Sequence, residues 1–235
     1  MAAPAGNPGY HGNTPQVPPM PDNKNCCLWI EGLPPQVTER EFLSKIRGAG
    51  KIWNFSIARP KEGHTTSAAK LTFWKETDVE RFLDLVKTTF KFGNYVLDIN
   101  HNKFQTAAQE VSDKSRVIHI AGPGAVVNGP TLDRLFRANF YRGDDAVITH
   151  ATDANSGWIE WRFASHIGQA SRAWDILQAG RRGSLVLGTV GNEGELLRHV
   201  VTIWGADPCD EDYEAAQKRV ADKMANSNTW TFGQL

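Results

Sequence analysis

The chain has 235 residues, 40% of them apolar, which is enough to bury one or two ordinary hydrophobic cores. Its 26 basic and 26 acidic residues cancel, so it lacks the strong positive charge that drives non-specific nucleic-acid binding. No apolar run approaches the roughly 18 residues of a membrane span, so we expect no membrane association. Three cysteines, in neither metal-ligand spacing nor an even count, indicate a reduced intracellular protein.

Residues 1–24 are rich in Pro, Gly and Asn and show almost no apolar periodicity, so we expect a disordered tail. Residues 25–103 then alternate short apolar strands with helical patterns in the order β-α-β-β-α-β. The segment from Thr38 to Glu41 has the spacing of a capping box, which predicts the start of the first helix. A closing strand is expected around Tyr95 to Ile99.

Residues 104–115 form the predicted linker between this copy and the next. Phe104, Ala107, Ala108 and Val111 recur at helical spacing, so we expect a short helix there that packs on a domain. Few linker residues then remain free, and the two domains should hold a restricted mutual orientation.

The β-α-β-β-α-β order returns over residues 116–208, and a repeated pattern is stronger evidence than a single one. This second copy is longer, so we place an extra short strand at Leu185 to Leu187 before its closing strand. Residues 209–225 carry apolar side chains on one face of a predicted amphipathic helix, which needs a surface to dock on. Residues 226–235 form a predicted flexible tail with two isolated aromatic residues.

Each copy contains two segments that carry family information. A hexamer begins in the first strand, at Leu28 to Leu33 in the first copy and Ile118 to Pro123 in the second. An octamer that ends in Phe covers the third strand, at Thr66 to Phe73 in the first copy and Ser156 to Phe163 in the second. Two such pairs resemble tandem RNA recognition motifs (RRMs), whose hexamer and octamer lie on adjacent central strands. The resemblance implies an α+β chain of two ferredoxin-like domains, each a four-stranded antiparallel sheet with two helices on one face, plus a C-terminal helix. It also implies that single-stranded RNA binds to the open sheet faces.

The same resemblance implies that three sheet positions of each domain contact bases. In the first domain these positions hold Trp29, Ala68 and Lys70, which strand alternation places on the open face. Of these three residues only Trp29 is aromatic and can stack on a base, with the ammonium group of Lys70 beside it. This domain alone should therefore bind RNA weakly. Trp53 either extends this surface or packs at a domain edge. Lys103 follows the last strand, where the family often adds base contacts, although a plain linker start is an equal alternative.

In the second domain the corresponding positions hold His119, Trp158 and Glu160. An imidazole and an indole could stack two successive bases, and the carboxylate could accept a hydrogen bond from an exocyclic amine of a base. An equal alternative is that Glu160 forms a surface ion pair with an arginine such as Arg162 or Arg116.

We expect no enzymatic activity, no metal and no cofactor, since the sequence has no phosphate-binding Gly-rich loop, no paired metal-ligand spacing and no nucleophile motif. The prediction is therefore a non-catalytic, single-stranded RNA-binding protein of the nucleus or the cytoplasm. The alternative is an RRM-like protein-interaction module, a scaffold or adaptor that recognises its partner through the open sheets or the C-terminal helix and binds RNA weakly or not at all. Homodimerisation stays open.

Overall fold

The computed structural model describes residues 20–61, 63–153 and 155–226. Most of the predicted N-terminal tail and nearly all of the predicted C-terminal tail lie outside these ranges. The described end of the N-terminal tail contains a short 3₁₀ turn, Asp22–Lys24. Within the described residues, every helix is too short or too polar to span a bilayer.

The first domain has the predicted β-α-β-β-α-β order. Its elements are β1 Cys27–Leu33, α1 Glu39–Ser44, β2 Ile52–Ala58, β3 Ser67–Phe73, α2 Glu76–Thr88 and β4 Asp98–His101. The strands form an antiparallel sheet in the order β2-β3-β1-β4. Helix α1 begins where the capping spacing predicts, because the Thr38 hydroxyl accepts a hydrogen bond from the backbone N–H of Glu41 at 3.1 Å. The closing strand begins at Asp98 rather than Tyr95, because Tyr95 pairs with Phe92 in a tight turn before it.

Both helices of the first domain contribute to a single core on one side of this sheet. Strand residues alternate in and out, so Leu28, Ile30 and Leu71 are buried in that core. Aromatic rings fill the space between sheet and helices, with the centroids of Phe42 and Phe55 at 4.6 Å. The opposite side of the sheet is therefore free to carry a binding surface.

The second domain repeats the order with a short additional helix. Its elements are β5 Val117–Gly122, α3 Gly129–Asn139, β6 Asp144–Thr152, β7 Gly157–Phe163, α4 Ser171–Arg181, α5 Glu193–Leu196 and β8 Val201–Trp204. The sheet order is β6-β7-β5-β8, the counterpart of the first sheet. The predicted fold class, two four-stranded antiparallel sheets with helices, is confirmed. We keep residues 25–103 and 116–208 as the proposed extents of the two domains.

The extra strand predicted at Leu185 to Leu187 is wrong, and these residues lie in a loop. Strand β8 already occupies the edge of the sheet beside β5, so the segment has no strand to pair with. The backbone of this loop forms a hydrogen bond with helix α3 instead: the Arg134 guanidinium donates to the carbonyl of Gly188. Buried Val186 between exposed leucines imitates the alternation of a strand, which explains the error.

The helix predicted in the linker, residues 104–115, is also wrong. The linker carbonyl of Thr106 accepts a hydrogen bond from the backbone N–H of Cys26 at 2.8 Å. Backbone groups that bond a distant part of the chain cannot complete the i to i+4 pattern of a helix. Phe104 and Val111, two members of the predicted apolar face, are 68% and 88% exposed, so that face packs on nothing there.

A network of buried charges, which we call the juncture, joins the two domains. Arg116 is fully buried and forms ion pairs with Asp207 at 2.9 Å and with Asp145 at 3.0 Å. Asp145 also forms an ion pair with Arg47 of the first domain at 2.8 Å. The carboxylate of Asp207 accepts a hydrogen bond from the backbone N–H of Ile52, also in the first domain, at 2.9 Å. The last bond satisfies a backbone group at the outer edge of β2. These contacts support the predicted restricted orientation of the domains.

Aromatic rings line the juncture beside these charges. The His166 ring lies 4.9 Å from Trp53, 5.2 Å from Trp74 and 5.3 Å from Trp204, measured between ring centroids. Trp53 packs edge to face on Trp74 at 4.7 Å. Of its two predicted roles, Trp53 therefore takes the one at the domain edge.

A final helix, α6 Tyr213–Ala225, follows the second domain. Its apolar stripe docks on the second sheet, where Ala216 is buried and Val220 and Met224 line a cavity between helix and sheet. Lys223 pairs with Asp113 of the linker at 2.6 Å. The helix thus lies across the side of the second sheet that faces away from α3 and α4.

Candidate nucleic-acid interface

Trp29 lies at the centre of the face of the first sheet that points away from α1 and α2. Strand register places Lys70 of β3 on one side of it and Asn100 of β4 on the other, with Ser56 of β2 opposite Lys70. Directly opposed residues of antiparallel strands share a face, so these four side chains form a row across the sheet. Trp29 and Lys70 are half-buried, and the two outer members are exposed. The structure therefore brings the predicted indole and ammonium groups together.

A groove of about 270 Å³, which we call the first groove, opens beside Trp29. Ala68 is one of its lining residues, and its small side chain leaves room above the sheet. The loop between β2 and β3 supplies three further lining residues with cationic or titratable side chains: Arg59, Lys61 and His64. Sequence analysis did not single out these three, although a polar loop rich in such residues beside the octamer strand was visible.

Lys103 lies outside the first groove, beyond the end of β4. Its side chain is exposed, and its ammonium group sits 5.2 Å from the ring centroid of Phe104, which is itself exposed. A base contact by Lys103 stays a prediction.

On the second sheet, the three predicted residues form one cluster. His119 of β5 lies directly opposite Glu160 of β7, and Trp158 precedes Glu160 by two residues on the same face. His150 of the edge strand β6 joins them, with its Nε2 at 3.4 Å from a carboxylate oxygen of Glu160. Its ring stacks on the Trp158 indole, with 4.2 Å between centroids and 24° between planes. We call these four residues the second cluster.

Helix α6 covers His119 and Glu160 of the second cluster, whereas Trp158 is half-buried and His150 is exposed. All six residues of β5 are buried, and His119 and Glu160 are only 8% and 6% exposed. Tyr213 and Gln217 of α6 line a cavity of about 240 Å³ between the helix and the cluster. The Arg162 guanidinium donates to the Tyr213 hydroxyl at 3.3 Å, which ties the start of the helix to the sheet. The expectation of two open sheet faces is therefore wrong for the second domain, because the apolar stripe of α6 docks there.

The charges of the second cluster are balanced locally. Glu160 pairs with Arg162, one of the two predicted partners, but the pair is largely buried rather than at the surface, and Arg116 lies in the juncture. Burial lowers the pKa of His119 to about 4, and the nearby carboxylate only partly offsets that effect. His119 is therefore neutral at pH 7, and its Nδ1 accepts a hydrogen bond from the Trp158 indole at 3.4 Å. Recognition of a base amine by Glu160 stays a prediction.

Sequence analysis missed His150 and Tyr213 as members of this region. Strand β6 has an irregular register between Thr149 and Ala151, so alternation along the sequence does not assign His150 to a face. Tyr213 comes from a helix whose docking surface no sequence pattern specifies. Both residues therefore required the three-dimensional structure.

The strand order defines the class of this protein. The strands that carry the hexamers and octamers, β1 with β3 and β5 with β7, are the adjacent central pairs of their sheets, as the resemblance implied. The chain is thus a pair of tandem domains with the ferredoxin-like β-α-β-β-α-β fold that RRM domains have. No family model matches the chain, and no curated protein matches it.

Three of the solved structures that the chain is similar to are tandem RRM pairs. The first two RRM domains of the yeast poly(U)-binding protein Pub1 are 19% identical, with 77% of this chain and 99% of that chain covered and a TM-score of 0.29. Domains 1 and 2 of Sex-lethal from Drosophila melanogaster are 19% identical, with coverage of 66% and 93% and a TM-score of 0.28. Domains 1 and 2 of Prp24 from S. cerevisiae are 12% identical, with coverage of 76% and 94% and a TM-score of 0.28. These TM-scores are too low to carry an argument, so the fold assignment depends on the strand order.

Proposed function

We propose that this chain is a non-catalytic protein that binds single-stranded RNA through the first groove. The observation that carries the proposal is the half-exposed Trp29 at the centre of a sheet face, with Lys70 directly beside it. A base can stack on the indole while the ammonium group meets a phosphate. Arg59 and Lys61 add positive charge along the groove, and Glu31 is the one acidic residue among its described lining residues. Because the whole chain has no net charge, affinity has to come from this local patch.

The second domain contributes less in this arrangement. A base can reach His119 or Glu160 only if α6 moves, since both are buried beneath the helix, whereas Trp158 is half-buried. The predicted base contacts of these residues are therefore proposed for a state in which α6 has left the sheet.

Fluorescence anisotropy of the intact chain with short pyrimidine-rich and purine-rich RNAs tests the proposal. Stacking of a base on an aromatic ring is worth about 1–3 kcal/mol, so Trp29→Ala should weaken binding roughly 5- to 150-fold. Each phosphate contact to a single strand changes the slope of log K against log salt by about 0.7, so Lys70→Ala should flatten the slope by that amount. Lys87→Ala is the matched control, because Lys87 is exposed on α2 and pairs with Asp84 away from the groove.

Binding that is unchanged by Trp29→Ala would overturn the proposed site. Absence of binding to every RNA pool would overturn the function and favour the second candidate.

The second candidate is the protein-interaction module. The observation that favours it is a loop between α4 and α5 where Leu185, Leu187 and Val190 are 89%, 62% and 60% exposed. Partner binding through α6 and homodimerisation stay proposals of the same kind. Light scattering coupled to size-exclusion chromatography would measure the oligomeric state, and Leu185→Ser with Leu187→Ser should abolish any dimer built on this loop.

We also propose an intracellular location. All three cysteines are free thiols and buried, and burial raises the pKa values of Cys26 and Cys209 to about 12. Unpaired thiols persist in reducing compartments. Imaging of the tagged full chain would distinguish nucleus from cytoplasm.

A further inference from the structure

Three side chains that ligate metals converge beneath α6. His119 lies on β5, His150 on β6 and Glu160 on β7, so three different strands of one sheet each contribute one residue. One potential ligand atom from each of the three residues lies within 4.8 Å of the other two. We propose that His119, His150 and Glu160 bind a divalent transition-metal ion of the Zn²⁺ type.

The distances suit a site that closes on its ion. Bonds of about 2.0 Å in a tetrahedral zinc site place ligand atoms about 3.3 Å apart. His150 Nε2 and the facing Glu160 oxygen are already 3.4 Å apart. The remaining separations, none above 4.8 Å, must shrink by at most about 1.5 Å, which side-chain rotations can supply. His150 lies on the edge strand with 31% of its side chain exposed, so its ring can adjust toward solvent.

The donor set selects the class of metal. Two imidazoles with one carboxylate is a ligand combination that zinc uses where three protein ligands leave a fourth position open. Magnesium and calcium prefer sites made of oxygen atoms, so they fit this set poorly. The cavity between α6 and the cluster gives the fourth position space for water or another small ligand.

Neighbouring residues hold two of the ligands in place. The Arg162 guanidinium bonds one oxygen of Glu160, which leaves the other oxygen directed at His150. Gly205 lies against the His119 ring, and a Cβ at position 205 would approach the ring carbon Cδ2 to 2.9 Å. The glycine therefore lets the chain confine the His119 ring from the side.

Metal binding at His119 should be visible through Trp158. An indole N–H can only donate, so Nδ1 of His119 presents its lone pair to Trp158 in the present geometry. A metal at Nδ1 displaces that donor, and a metal at Nε2 forces the proton onto Nδ1. Either outcome breaks the hydrogen bond and changes the environment of the indole, so Trp fluorescence reports on the site.

This site is separate from the main proposed RNA site, because the first groove lies on the other sheet, although it shares His119 and Glu160 with the base contacts proposed for a state without docked α6. Failure of one proposal therefore leaves the other standing.

The test is titration of the intact, chelator-treated chain with Co²⁺ and then Zn²⁺. We expect one equivalent of Co²⁺ to give visible d–d absorption that Zn²⁺ displaces, together with a change in Trp fluorescence. His150→Ala should weaken binding at least tenfold, and it should fold because His150 is partly exposed on an edge strand. Glu160→Gln and His119→Ala should have the same effect where circular dichroism shows a native fold. His199→Ala is the matched control, since this histidine is exposed outside the cluster.

Loss of binding in His150→Ala with full binding in His199→Ala would support the site. Three results would overturn it: no saturable binding, binding that is equal in wild type and His150→Ala, or a thiolate-to-cobalt charge-transfer band that assigns the ion to the cysteines.

Discussion

The two sheets have the same strand order but opposite surfaces. In the first sheet the central hexamer position holds Trp29, half-exposed beside an open groove. In the second sheet the same position holds His119, which is only 8% exposed beneath a helix. The shared topology therefore fixes where a binding residue can lie, and the chain that follows the last strand decides whether that position is accessible.

The juncture helps to hold the second face closed. Asp207 lies in the segment between β8 and α6, and its bond to Arg116 fixes the point from which the helix crosses the sheet. Burial alone would lower the pKa of Arg116, but the charges of Asp207 and Asp145 outweigh that effect and raise it. The open face of the first sheet has no comparable helix anchored to it among the described residues.

The largest expected effect comes from breaking this anchor. Arg116→Met leaves two buried carboxylates, Asp145 and Asp207, without their shared cation, which should reduce the free energy of unfolding by about 3–5 kcal/mol. Urea denaturation followed by Trp fluorescence measures this loss. Arg137→Met is the control, because the exposed pair of Arg137 with Asp133 is screened by solvent and should contribute little to stability. Equal losses in the two variants would contradict the structural role of the juncture.

A second prediction compares the two faces directly. Trp29→Ala should lower RNA affinity by about 1–3 kcal/mol, whereas Trp158→Ala should change it less than about twofold while α6 stays docked. Ala216→Asp places a charge against the sheet and should release the helix, since Ala216 is buried. In that background, Trp158→Ala should gain an effect on affinity. An equal loss for Trp29→Ala and Trp158→Ala in the otherwise native chain would show that α6 does not restrict access.

Much of the fold could be predicted from the sequence, because local periodicity and spacing specify it. The capping spacing at Thr38 marked the start of α1, and alternation correctly placed Trp29 opposite the buried Leu28 and Ile30. The two wrong elements, at residues 104–115 and 185–187, are segments whose backbone bonds distant parts of the chain. Apolar spacing cannot reveal such partners.

The candidate site was less predictable for a related reason. Alternation brought His119, Trp158 and Glu160 to one face, as the structure shows. Their exposure depends on α6, and the sequence shows that this helix is amphipathic without showing what it covers. His150 depends on an irregular register that pattern alone does not locate.

The third prediction concerns acid, since the juncture contains a buried histidine. Burial lowers the pKa of His166 to about 4, and its Nδ1 bonds the carbonyl of Ser115 at 2.7 Å. The unfolded chain takes up a proton near pH 6.5 and the folded chain only near pH 4, so this contribution to stability is complete above pH 6.5 and is lost as pH falls toward 4. At pH 5 the loss should be about 1–2 kcal/mol.

Urea denaturation at pH 8 and pH 5 measures the combined loss from His166 and from His119, whose pKa burial also lowers to about 4. His166→Gln keeps a donor for the Ser115 carbonyl but cannot titrate, so its stability should fall less between the two pH values. His64→Gln, at an exposed position in the first domain, is the matched control. If the free energy of unfolding of His166→Gln falls as much between pH 8 and pH 5 as that of the wild type, other groups cause the acid sensitivity.

The smallest expected effect separates two ways of holding α6 on the second sheet. Lys223 pairs with Asp113 at 2.6 Å, and the hydrogen bond from Lys223 lowers the pKa of that carboxyl. The pair is exposed, so a double-mutant cycle with Lys223→Ala and Asp113→Ala should give a coupling energy of about 0.2–1 kcal/mol that shrinks in high salt. If apolar packing holds the helix, hydrogen exchange in α6 should rise strongly in Ala216→Asp and only slightly in Lys223→Ala. The reverse order would mean that charge keeps the second face covered, and ionic strength would then control access to it.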